Sequence, residues 1–297
     1  MYHACITGAR YTPAMPDSLL PAEMARRAEE VGIKKAGMDG LSLLLLAVLA
    51  GAFIGLGAAF STVSLVGTAG EVPFGWARLV AGLSFSLGLA AVVVGGAELF
   101  TGNNLITMAW ASRKVSGAAM LRNWGIVYLG NFLGAVGTAA LVAVGRAWMA
   151  GGGGAGKIAL DIATAKLAIA PLQAVALGML CNGLVCLAVW LSYSARTTAD
   201  RLLAILLPVS AFVACGFEHS VANMYFVPLA IFIRDSAPEA FWAMIQKSPA
   251  DYASLGWGAF FLKNLVPVTL GNILGGVGLV GAMYWGIYLR PPRNPAG

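Results

Sequence analysis

Six apolar stretches, over 41–66, 74–110, 118–149, 167–193, 202–233 and 252–289, leave this chain few folds to choose from. Each reaches the ~20 residues a helix needs to cross a bilayer core, where the backbone must satisfy its own N–H and C=O groups. The pattern predicts an all-α polytopic membrane protein with six transmembrane helices, two of the stretches being overlong. Composition agrees: 59% of residues are hydrophobic and 11% charged, with a mean hydropathy of +0.79, where soluble domains carry about a quarter charged residues. The first 37 residues hold five Lys/Arg and no apolar core of signal-peptide length, so the first crossing is expected to direct its own insertion.

Two of the stretches are broken in the same way. Gly96-Ala97-Glu98 is followed five residues after the acid by Asn103, and Gly216-Phe217-Glu218 by Asn223 at the same spacing. Around the first, Gly95, Gly96 and Gly102 fall within ten residues, which would cost a regular helix a few (~3) kcal/mol. Unwound backbone at that depth must be buried in protein or line a wet cavity, and paired breaks point to a permeation path. A second motif repeats as well: 129–137 and 270–278 both read LGNxLGxVG. Crossings two and three thus echo five and six, and three crossings per unit force the second unit to enter the membrane inverted. Glycines four apart, Gly51/Gly55, Gly130/Gly134 and Gly271/Gly275, read as helix-packing positions.

Basic residues set the expected orientation. Arg10, Arg26, Arg27, Lys34, Lys35, Arg113, Lys114, Arg122, Arg196, Arg201, Arg290 and Arg293 share one side, the other taking the remaining seven of nineteen, so both termini are expected in the cytoplasm. The net charge of +6 is then a topology signal, and no basic soluble domain exists to suggest nucleic acid. In the amino-terminal tail, Asp17 and Ser18 offer caps, Pro21 suits a first turn, and a short amphipathic helix over 23–35 closes at Gly37. Such a helix reads as interfacial.

The charged groups inside apolar sequence carry the chemistry. His219 stands within the second break beside Glu218, whereas the other histidine, His3, lies in the tail. It is either a core imidazole held by Glu218 or a carbonyl, or a proton donor and acceptor on a substrate path, and its place in a break favours the path. Glu98 and Glu218, with Asn103 and Asn223, read as architectural, the carboxylates tying down unwound backbone by accepting N–H bonds. Lys166 is a snorkelling end-of-helix lysine or an ammonium that draws anions toward a pore mouth. The stretch 151–157 fits most of a phosphate-binding loop, but Ile158 stands where Ser or Thr should hold magnesium and no strand precedes it, so a flexible external loop is expected. Cys5, Cys181, Cys186 and Cys215 show no metal spacing. Buried free thiols are expected, with no metal site, cofactor or disulfide framework.

Long runs of this chain resemble the formate/nitrite transporter family, and within it bacterial formate channels. They are Phe85-Ser86-Leu87-Gly88-Leu89, Glu98-Leu99-Phe100-Thr101, Asn182 with 184–190, 216–224 and 264–272, and the resemblance spans nearly the whole chain. It implies a homopentamer of aquaporin-like inverted-repeat protomers in the bacterial inner membrane, each with its own pore. By resemblance, Phe85, Leu89 and Phe212 form a cytoplasmic constriction, Leu99 and Phe217 belong to a periplasmic one, His219 lies between them with Thr101 and Asn182 nearby, and Lys166 stands at the outer vestibule. The implied organisation is a tail over 1–37, a channel domain over 38–290 with repeats 38–149 and 167–289, and a second tail over 291–297.

The expected activity is passive or proton-linked passage of formate, with nitrite, acetate, lactate and hydrosulfide as further candidates. The amino-terminal helix is implied to sit beneath the pore and respond to pH. A neutral-solute channel of the aquaporin type would share the repeat, but neither Asn103 nor Asn223 is followed by Pro-Ala. A membrane enzyme would need a metal cluster, an activated nucleophile or a cofactor motif, and His219 with Glu218 supplies none of these.

Overall fold

The computed structural model describes residues 18–291, all of them in helices, turns and loops with no strand among them. Asp17, His3, Cys5, Arg10 and Arg293, and the carboxy-terminal tail beyond 291, lie outside the described residues.

Proline or a short polar residue marks several of the helix starts. α1 (Pro21–Ala36) begins with proline at its first position, and the Glu23 carboxylate accepts the Leu20 N–H at 2.8 Å. Asp39 caps α2 (Gly40–Ser64) by accepting the Ser42 N–H at 2.9 Å, and Ser116 caps α6 (Gly117–Val144) through Ala119 at 3.1 Å. α3 (Phe74–Gly95), α8 (Pro171–Ser194) and the terminal segment Pro249–Tyr288 join α2 and α6 as the five helices long and apolar enough to span a bilayer. The expected run over 202–233 is divided into α9 (Thr198–Ala214) and α10 (Ser220–Ser236), seventeen residues each and so individually short of that length. Likewise 74–110 is shared by α3, α4 (Phe100–Asn103) and α5 (Ile106–Ala111).

Two expectations change. The glycine-rich stretch is not a loose loop: Gly151, Gly152 and Gly153 all take positive φ and turn the chain into α7 (Gly154–Leu167). Lys166 therefore sits in the last turn of a separate short helix, before Ala168 to Ala170 lead into α8. α1 also does more than coat an interface, because its buried face, Met24, Ala25, Ala28, Glu29, Gly32 and Ala36, packs onto the protein. A Cβ on Gly32 would lie 3.2 Å from Ala109 of α5.

Beyond α11 (Glu239–Ile245), the last long helix runs as α12 (Trp257–Ala259), a π segment Phe260–Leu265, α13 (Val266–Leu274), a second π segment Gly275–Ala282 and α14 (Met283–Tyr288). Helix pairs approach to backbone contact where the repeated glycines fall. A Cβ on Gly134 would lie 2.0 Å from the Val48 carbonyl oxygen, and one on Gly275 would lie 2.1 Å from that of Met179. No other residue fits either place.

Candidate functional site

Both helix breaks are built by the same bonds. α3 ends where Gly96 adopts φ +78°, and α9 where Gly216 adopts φ +72°, a conformation open to glycine. The next N–H folds back five residues, Ala97 to Val92 and Phe217 to Phe212, each at 2.9 Å. The unwound backbone is then clamped by an asparagine from the repeated LGNxLGxVG motif. Asn131 donates to the carbonyls of Ala47 and Glu98 and accepts the Phe100 N–H. Asn272 donates to those of Gly178 and Glu218 and accepts the Ser220 N–H. The backbone is thus held by the asparagines, and Glu98 and Glu218 do not play the part expected of them.

The two carboxylates instead anchor matching side-chain clusters. Glu98 accepts from Lys35 at 2.8 Å and from Asn103 at 2.7 Å, and Asn103 also donates to Asn123, whose own amide donates to the Lys35 carbonyl. Glu218 accepts from Lys166 at 2.7 Å and from Asn223 at 2.7 Å; Asn223 donates to Asn264, whose amide donates to the Lys166 carbonyl. Charges buried this deeply are tolerated because each is paired and hydrogen-bonded. The clusters are not identical. Lys35 also donates to the side-chain Oδ1 of Asn103 at 2.9 Å, while the matching Oδ1 of Asn223 is buried without a partner, and Lys166 lies 5.6 Å over the Phe226 ring.

Between the clusters the two breaks meet. His219 caps α10: its Nδ1 accepts the Ala222 N–H at 3.0 Å. In a neutral ring the hydrogen then stands on Nε2, which faces Thr101 Oγ1 at 3.1 Å. The imidazole stacks on Phe212 at 5.8 Å, and Phe212 meets Phe85 edge-on at 5.6 Å. Thr101 and His219 are buried.

A cavity lies on each side of this pair. One, of about 680 Å³, is lined by Leu89, Leu99, Gly102, Asn103, Glu98 and Lys35 with much of α1. The other, of about 450 Å³, is lined by Phe85, Phe212, Phe217, His219, Glu218 and Lys166. Leu89 thus shares a cavity wall with Leu99, while Phe85 and Phe212 share one with Phe217. The reason is helical geometry, since Phe85 and Leu89 are successive turns of α3, about 6 Å apart along its axis, and straddle the central pair. Asn182 lines neither cavity. Like Thr101 it is fully buried, and it donates to Asn104 at 2.7 Å and to the Asn272 carbonyl at 2.6 Å. Cys215, expected to be buried, is exposed and lines the second cavity, whereas Cys181 and Cys186 are buried.

Several of these pairings escaped sequence reasoning. Asn123 and Asn264 stand eight residues before the clamping asparagines, and Lys35 and Lys166 each stand twelve before Ala47 and Gly178, a registration the sequence carries. Arg78, on the wall of the second cavity, has no such counterpart.

A model of the formate/nitrite transporter family matches residues 22–286. The chain belongs to the formate/nitrite transporter family. It is 45% identical over 274 residues to the formate channel FocA of Escherichia coli (strain K12), covering 92% of this chain and 96% of the relative. A solved pentameric formate channel with formate bound superposes with a TM-score of 0.80 at 47% identity, over 84% of this chain and 98% of that one. An ion channel of the same family gives 0.74 at 27% identity, over 89% and 98%. The relatives are named as channels or transporters rather than enzymes, and transport by membrane-spanning helices is the activity of this family member too.

Proposed function

We propose that the chain is a formate channel of the bacterial inner membrane, a homopentamer in which each protomer carries its own pore. The observation that carries this reading is the Thr101–His219 pair at the junction of two unwound helices, with a cavity on either side. Counting α9 with α10, and α3 with α4 and α5, as single broken crossings yields six. The matched clusters at Glu98 and Glu218 then relate two inverted repeats, each opening with a short helix, α1 or α7. The excess of Lys/Arg on the α1 side favours cytoplasmic termini, so the cavity at Lys35 faces inward and that at Lys166 outward.

In the mechanism that fits this geometry, a small monovalent anion enters the outer cavity past the Lys166–Glu218 pair. The phenyl rings of Phe85, Phe212 and Phe217 and the leucines Leu89 and Leu99 exclude hydrated ions by dewetting. At the centre the anion takes the Nε2–H of His219 in place of Thr101 Oγ1, which compensates its lost water. Handing that proton on needs a second one at Nδ1, hence release of the α10 cap. His219 therefore acts first as a hydrogen-bond donor, with proton-linked passage requiring this rearrangement. α1 contributes Lys35 to the inner cluster, which gives the amino-terminal helix a physical means of gating.

Formate flux into proteoliposomes tests the reading, with nitrite and hydrosulfide run alongside. His219→Gln, which still donates, is expected to keep well over half of its flux, and His219→Phe to lose most. Equal loss in both variants would favour proton relay over donation, and a higher flux of nitrite than formate would reassign the substrate.

A further inference from the structure

The outer cavity holds three charged side chains: Arg78, Lys166 and Glu218. Lys166 and Glu218 neutralise each other at 2.7 Å, and both side chains are largely buried. Arg78 makes no ion pair among the described residues. Its guanidinium donates to the carbonyls of Val213 and Ala214, at the unwound end of α9, which leaves N–H groups uncommitted of the five it carries. The surplus positive charge of this cavity is therefore that of Arg78.

Its placement fits a capture role. Arg78 and Phe85 are seven residues apart on α3, two turns on one face, so the backbone of Arg78 lies about 10 Å along the axis from that of Phe85, on the side of the outer cavity mouth. The guanidinium lies over the break itself, 3.8 Å from where a Cβ on Gly216 would be. The duplication of the molecule makes Arg78 stand out. The displacement that carries Glu98 onto Glu218 puts Thr198 at this place in the other broken helix, and the inner cavity draws its cations, Arg27, Lys34 and Lys35, from α1. Packing of the repeats thus does not call for a cation here.

We propose that Arg78 forms an anion-capturing subsite of the outer vestibule, taking a small planar oxyanion such as a carboxylate on its free N–H groups before the aromatic constriction. A planar guanidinium matches a carboxylate in two parallel hydrogen bonds, which an ammonium does not. On this assignment Lys166 shapes the wall, and Arg78 supplies the unpaired charge that raises the local anion concentration. The inference rests on the transport reading above for its purpose but not for its test.

Cys215 lines the same cavity and is exposed, so it reports the local potential without transport. In the full-length pentamer carrying Cys5→Ser, its modification is timed with 2-sulfonatoethyl methanethiosulfonate and with the trimethylammonium analogue. Arg78→Gln is expected to lower the anionic-to-cationic rate ratio about fivefold at low salt, and Arg78→Lys to keep it. Formate at millimolar concentration should slow the anionic reagent in the parent and lose that effect in Arg78→Gln, and formate uptake should fall severalfold at low salt. An unchanged ratio in Arg78→Gln, with pentamer and thermal stability retained, overturns the proposal. A lowered ratio in a parent chain that passes no formate upholds the subsite and counts against the transport reading alone. If Arg78→Gln does not assemble, Arg78→Lys decides: loss of formate protection with the charge kept supports bidentate capture, and full protection overturns it.

Discussion

Removing the charge of Lys166 by substitution with Met strands Glu218, whose side chain is 3% exposed, beside a lysine position that is itself only 14% exposed. In so dry a place an uncompensated carboxylate costs about 3–5 kcal/mol. For a chain of this size roughly 2–4 °C of melting temperature accompanies each kcal/mol, so a fall of about 6–20 °C is expected. Glu218→Gln alone strands the ammonium and should cost a similar amount. The double variant leaves no bare charge, and the amide oxygen introduced by Glu218→Gln can still accept from the Asn223 side chain. It should therefore recover much of the loss, giving a coupling of about 2–3 kcal/mol in the double-mutant cycle. The control is the Lys157–Asp161 pair, also at 2.7 Å but with side chains 42% and 46% exposed, which is worth below about 1 kcal/mol. Thermal unfolding of the purified protein in detergent reads all of these. Equal shifts for the two pairs, or additive losses at Lys166 and Glu218, would refute the claim that burial rather than bond length sets the strength of this cluster.

Other expectations follow from the same geometry. Asn272→Ala should unpair the Gly178 and Glu218 carbonyls and the Ser220 N–H together, at about 1–3 kcal/mol for each group that finds no water; a melting temperature within about 2 °C of the parent, less than 1 kcal/mol on the same scale, would show that the clamp is dispensable. Gly275→Ala brings a methyl to 2.1 Å from the Met179 oxygen and should cost about 1–3 kcal/mol as α8 and α13 part, whereas Gly278→Ala, with nothing within 4 Å, should be silent in the same assay. Lys35→Met should lower formate flux by leaving Glu98 as a bare carboxylate in the cavity beside α1, and Lys35→Met with Glu98→Gln should restore most of it. Unrestored flux in that double variant would place the effect of Lys35 outside the cluster.

What the sequence determined was whatever depends on local composition and spacing. Apolar runs are a one-dimensional signal, because each helix meets lipid and satisfies its own backbone alone. The breaks are legible for the same reason, since glycine clusters weaken a helix wherever they occur. Small residues at four-residue spacing likewise mark the close approaches at Gly134 and Gly275. The tertiary structure decided which polar groups meet. Nothing local to Asn131 or Asn272 says that its amide will reach two carbonyls on different helices, and so a reading of the sequence assigns the clamp to Glu98 and Glu218. Lys35 reads as one more base in an amphipathic tail until α1 packs on α5 and brings it to Glu98, 63 residues away. Lys166 looks free to draw anions until the fold puts Glu218 against it, and nothing local to Asn182 says that its amide will meet Asn104 and the Asn272 carbonyl. Pairing across the fold sets the net charge of each cavity, and the residue left over in the cavity of Lys166, Arg78, could not be picked out from nineteen bases by position alone. The chain spells out its helices and their interruptions one segment at a time, while a charge becomes free or neutralised only when distant segments pack.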